Sequence, residues 1–252
     1  MNRLQLLSQP HDSMSDKPSD EDHAILTTTQ QAGVHHAIFA PLHYEPNYAY
    51  PLIIWLHGQG HNEMQLQRVM PEVSMRNYVA CGPRAPVAEG RGFAWSESDL
   101  NTAERSVFEC IDLVSDRFNI APHRVFLAGL DCGGSIAFRI GLRHPRSFAG
   151  VLSVGGPFPL GHSPLARLDQ ARDLPMLIAQ GRYSKRYSVD RTCEELRLFH
   201  SAGLSVTLRQ YPCGDELDTQ MLRDMDAWVM EQVTGVASLD DESDAMPFCE
   251  LN

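Results

Sequence analysis

The stretch that decides the fold runs Phe126-Leu127-Ala128-Gly129-Leu130-Asp131-Cys132-Gly133-Gly134. Residues 124–129 are a short apolar run of strand type, and residues 133–143 carry the longer spacing of a helix. Glycines stand two before and two after Asp131. A strand that turns this sharply into a helix strains its central residue and needs small neighbours, because the helix start packs against the strand end. The pattern fits such an elbow. It also fits any strand-to-helix turn with glycine at the tight positions, so its surroundings have to decide.

Outward from this turn, short apolar runs alternate with longer amphipathic ones. Strands are expected at 34–40, 51–57, 77–82, 124–129, 149–154, 175–180 and 205–211, and helices at 62–70, 101–118, 133–143, 189–202 and 216–233. Several strand runs are apolar on both faces, as strands lying between two helix layers must be. In 101–118, Val107, Cys110, Ile111 and Val114 form one apolar stripe. Asp190 and Glu194 fall in the first turns of their helix, where a carboxylate suits the positive end of the dipole. Such alternation implies right-handed crossovers and a mostly parallel, doubly wound sheet. One domain is expected at 33–234, with no internal repeat. Residues 1–32 are polar and acidic, lack apolar periodicity and read as a flexible arm, and 235–252 read as a flexible acidic tail.

Of the 252 residues, 43% are hydrophobic and 21% charged, enough to build a core. No apolar run approaches the ~18–20 residues of a membrane helix. The net charge of -11 argues against nucleic acid, whose backbone wants a basic stripe. Much of that charge sits at the ends: 235–252 hold five acids and no base. It reads as a solvated tail, not as the field of a site. Six cysteines show no CxxC spacing, and the first residues lack the pattern of a secretory signal, so a reducing cytoplasm is expected.

Ligands of an open parallel sheet bind beyond the carboxyl ends of its strands. Two loops there are unusual: Trp55-Leu56-His57-Gly58-Gln59-Gly60-His61 and the glycine-flanked turn at Asp131. With LSVGGPFP at 152–159, and YPCGDE at 211–216 followed by a closing helix, the chain resembles the phospholipase/carboxylesterase branch of the α/β-hydrolases over about residues 34–233. The resemblance implies a three-layer α/β/α hydrolase fold, a central sheet of about seven strands and no cap domain. It also implies a serine, a histidine and an acid at three places. Asp131 stands at the serine's place, Asp215 (after Gly214) at the histidine's, and Ser184 at the acid's, with Tyr183 and Arg186 as alternatives in that loosely spaced loop. The backbone N–H groups of Gln59 and Cys132 correspond to the oxyanion hole, which survives side-chain replacement.

Several roles stay open for Asp131. It could be the nucleophile, as in relatives whose elbow aspartate attacks a saturated carbon, although Asp215 then stands where a histidine should activate water. It could share a proton or a cation with Asp215, or cap its own helix. Cys132 gains from a helix start but points away from the elbow position. His57, Trp95 and His162 are expected around the pocket, with His57 also suited to bracing its loop. No dinucleotide or phosphate loop and no recognised metal spacing occurs, so no cofactor or metal is expected. The reading that accounts for all three replacements is a catalytically silent member of the fold. It would bind a small-molecule or protein ligand at the carboxyl end of the sheet. A homo-oligomer is left open.

Overall fold

In a computed structural model of the chain, describing residues 26–31, 34–161 and 163–236, strand β3 (Tyr50–Leu56) is buried at every position. Its residues alternate between two cores. Leu52, Ile54 and Leu56 enter one, while Ile53 and Trp55 enter the other. This is the period-two consequence of a strand covered on both faces. Strand β7 (Ile120–Leu130) repeats it, with Val125 and Leu127 on one side and Phe126 and Ala128 on the other.

Among the described residues eight strands form the main sheet, one more than expected. The seven expected strands are all present. Beside β3 and β7 they are β2 (Val34–Phe39), β4 (Val79–Pro83), β8 (Gly150–Val154), β9 (Met176–Gly181) and β10 (Val206–Tyr211). The eighth, β1 (Leu26–Gln31), corrects the reading of 1–32 as one flexible arm. It pairs antiparallel with β2, from Leu26 opposite Phe39 to Gln31 opposite Val34. An edge strand needs only a ladder partner, so Thr27-Thr28-Thr29 can extend without an apolar face to betray it. The order is β1-β2-β4-β3-β7-β8-β9-β10. The β1–β2 and β2–β4 pairs are antiparallel and the remaining pairs parallel. A small hairpin of β5 (Val87–Glu89) and β6 (Gly92–Ala94), not expected from the sequence, lies outside this sheet. The tail beyond residue 236 and most of the arm fall outside the described residues.

Helices α1 (Leu66–Val73) and α6 (Thr219–Thr234) cover one face, contributing Leu66, Met70, Met225 and Trp228 to its core. Helices α2 (Leu100–Arg117), α3 (Cys132–Arg143) and α5 (Val189–Ala202) cover the other, through Val107, Ile136 and Phe199 among others. A single short turn, α4 (Leu168–Ala171), precedes β9. Helix α6 starts three residues later than expected because Asp218 is its cap, its carboxylate accepting from Gln220 N–H at 2.7 Å. Ser188 caps α5 in the same way, on Arg191 N–H.

Candidate functional site

The turn between β7 and α3 is the elbow that the glycine spacing implied. Asp131 has φ 52° and ψ -120°, a conformation that L side chains rarely adopt. Its neighbours must be glycine because of contact, not backbone freedom. A Cβ on Gly129 would lie 2.5 Å from the Gly133 carbonyl carbon, and one on Gly133 would collide with the backbone oxygens of Leu56 and His57. That second approach presses the first turn of α3 against the end of β3, so the two unusual loops adjoin. Asp131 N–H donates to Val154 O at 2.8 Å, tying the elbow to the exit of β8.

The loop after β3 is held from several directions. His57 is fully buried; Nδ1–H donates to Gly58 O at 2.9 Å and Nε2 accepts from Ala85 N–H at 3.0 Å. Both ring nitrogens are thereby engaged with backbone, and burial lowers the imidazole pKa. Trp95 Nε1–H donates to His57 O at 3.0 Å. His57 therefore braces its loop, one of the two roles expected of it, and both His57 and Trp95 are buried ties from loop to loop and not the pocket wall also expected of them. Glu63, its side chain 1% exposed, receives two bonds from Arg84, at 2.5 and 2.7 Å. Burial pushes the Glu63 pKa up, but the bonds from Arg84 and its own backbone, with the nearby charge, outweigh that and leave it lowered. No local pattern marks Glu63. Only the placing of the β4 exit beside it reveals the role. His162 lies outside the described residues.

Around the elbow the three positions expected to carry the chemistry do come together, with a fourth residue among them. Asp131 and Asp215 line one recess of about 20 Å³, the space of about one water. The Asp131 carboxylate is ion-paired with the Arg186 guanidinium. Asp215 accepts from Ser184 Oγ–H at 2.5 Å and from the Lys185 and Arg186 N–H groups at 3.4 and 3.3 Å. Those bonds, the serine's foremost, lower the Asp215 pKa against a small burial effect. Of the alternatives left open for the acid's position, Ser184 touches Asp215 and Arg186 touches Asp131. Arg186 thus serves both carboxylates, its guanidinium pairing with Asp131 and its backbone N–H donating to Asp215. Among the described residues no histidine lines the recess.

The thiol and hydroxyl groups near the elbow are weak nucleophiles. Burial raises the Cys132 thiol pKa, the opposite of what a nucleophile needs. Ser153 Oγ–H is spent on Gly156 O and Ser135 Oγ–H on Pro157 O, each at 2.7 Å.

The chain is similar to the Bacillus cereus carboxylesterase, with 19% identity and TM-score 0.65 over 80% of this chain and 95% of that one. It is also similar to a Mesorhizobium loti carboxylesterase (14%, TM-score 0.67, 81% and 98%) and to Arabidopsis thaliana SOBER1 (20%, TM-score 0.64, 73% and 100%). The chain has the α/β-hydrolase fold. By sequence, 139 residues are 29% identical to "Putative esterase NocK" of Nocardia uniformis subsp. tsuyamanensis, covering 52% of this chain and 39% of that protein's length. No family model matches. Among the described residues, no helix is long and apolar enough to cross a membrane.

Proposed function

We propose that this chain is a phospholipase/carboxylesterase-like protein that has lost the serine–histidine–acid relay and acts by binding rather than by catalysis. The observation that carries the reading is the ion pair between Asp131 and Arg186. The elbow still presents its side chain under backbone strain, yet a guanidinium covers it and the recess beside it holds about one water. Among the described residues no strong base stands where proton transfer would be needed, because Asp215 is held by three donors that weaken it as a base. The five described cysteines are free thiols, which supports a reducing, cytoplasmic location.

The strained elbow also favours a second reading, an active hydrolase in which Asp131 attacks a saturated carbon. One carboxylate oxygen would form the alkyl ester as the leaving group departs with the bonding pair. Hydrolysis of that ester then needs a base, and Asp215 is a poor one. The two readings separate in a screen of purified protein against short p-nitrophenyl esters, haloalkanes and epoxides, with Asp131→Asn as the control. Turnover at the buffer rate in both proteins is expected. Turnover lost in Asp131→Asn would overturn the silent reading.

A further inference from the structure

A groove beside the loop after β3 is much roomier than the elbow recess. It lies between residues 60–69 and Leu217, with a volume of about 290 Å³. At ~30 Å³ for each water-sized volume this is room for roughly ten non-hydrogen atoms. Its polar lining consists of His61, Asn62, Gln65 and Arg68, and no carboxylate borders it, in a chain whose net charge is -11. Its apolar lining is Met64, Val69 and Leu217.

The donors outnumber the acceptors for structural reasons. Asn62 Oδ1 is used up as a helix cap on Met64 N–H at 3.0 Å, leaving its amide nitrogen. Gln65 is only 9% exposed, and its Oε1 accepts twice, from Trp55 Nε1–H at 3.0 Å and Gly58 N–H at 3.1 Å. Its Nε2 donates to no protein acceptor among the described residues, which leaves those donors to solvent or to a ligand in the groove that Gln65 lines. Arg68 has no carboxylate partner among the described residues and adds a fixed positive charge with a planar fork of donors.

We infer that this groove binds a small carboxylate with a short aliphatic chain. The carboxylate would be received by Arg68 and Gln65, with His61 and Asn62 beside it, and the chain would lie against Met64, Val69 and Leu217. The site uses neither Asp131 nor Arg186, so it stands whether the elbow is silent or reactive.

The test is calorimetric titration of the full chain with hexanoate, alongside hexanol and hexylamine. Saturable binding of hexanoate alone is expected. Losing one charge-assisted contact predicts about tenfold weaker binding in Arg68→Gln. Gln65→Glu keeps the acceptor that holds Trp55 and Gly58 but places a negative charge in the groove. It should abolish binding while thermal unfolding shows a folded protein. Asp131→Asn should bind as wild type does. Absence of hexanoate binding to the wild type, equal binding of hexanol, an unaffected Arg68→Gln, or loss of binding in Asp131→Asn would each overturn the assignment.

Discussion

Replacing Asp131 by glycine and, separately, by alanine tests whether the elbow stores strain. At φ 52° and ψ -120° a side chain at this position costs about 1–3 kcal/mol. Both substitutions remove the ion pair with Arg186. Because the two side chains are 18% and 55% exposed, that loss is worth at most about 1 kcal/mol. It is the same in both variants and cancels between them. Alanine keeps the strain and glycine relieves it, while glycine adds about 0.4–1 kcal/mol of unfolded-chain entropy. The glycine variant should therefore be more stable than the alanine variant by about 1 kcal/mol, or about 2–4 °C in Tm. Urea unfolding with matched slopes measures the difference directly. An alanine variant as stable as the glycine variant would mean that residue 131 is not held at positive φ, and the elbow argument would fall with it.

Other expectations follow from the braces around the loop after β3. Arg84→Met strands the buried Glu63 carboxylate; a wholly buried pair would cost about 3–5 kcal/mol when broken. With Arg84 itself 27% exposed, about 2–3 kcal/mol is expected by denaturant titration. Gly133→Ala drives a methyl into the Leu56 and His57 carbonyl oxygens and should cost about 3 kcal/mol, the upper end for overpacking, in the same measurement. His57 titrates lower in the folded chain than in the unfolded one, so between the two values the unfolded state binds more protons. Its contribution is complete above pH ~6.5 and is lost as the pH falls below that. The stability advantage of the wild type over His57→Gln should accordingly shrink between pH 7 and pH 5. An advantage that grows on acidification would contradict a buried neutral imidazole.

Much of this was legible in the residues. The two-faced apolar runs marked the strands of the main sheet other than β1. The glycines around Asp131 mark the elbow without its dihedral angles. What escaped has identifiable causes. Strand β1 pairs along an edge and carries no burial signal, and the β5–β6 hairpin is three residues a side. The loops of His57 and Trp95 lie at the carboxyl edge, which leaves a pocket wall and a brace both open for His57 and suggests a pocket wall for Trp95, because position along a strand does not say whether a ring faces outward. The donor excess in the groove depends on which oxygen of Gln65 and Asn62 is already taken, which composition cannot report.

The sequence alone determined the alternating architecture, the strained turn and the absence of a histidine after Gly214. Each of these is a matter of local backbone preference, periodicity or residue identity. Tertiary structure alone decided that Arg186, 55 residues away, covers Asp131, that Ser184 holds Asp215, and that His57 points inward. Those outcomes rest on distances between strand ends, and electrostatic and hydrogen-bond energies vary too steeply with distance to be read from spacing along the chain.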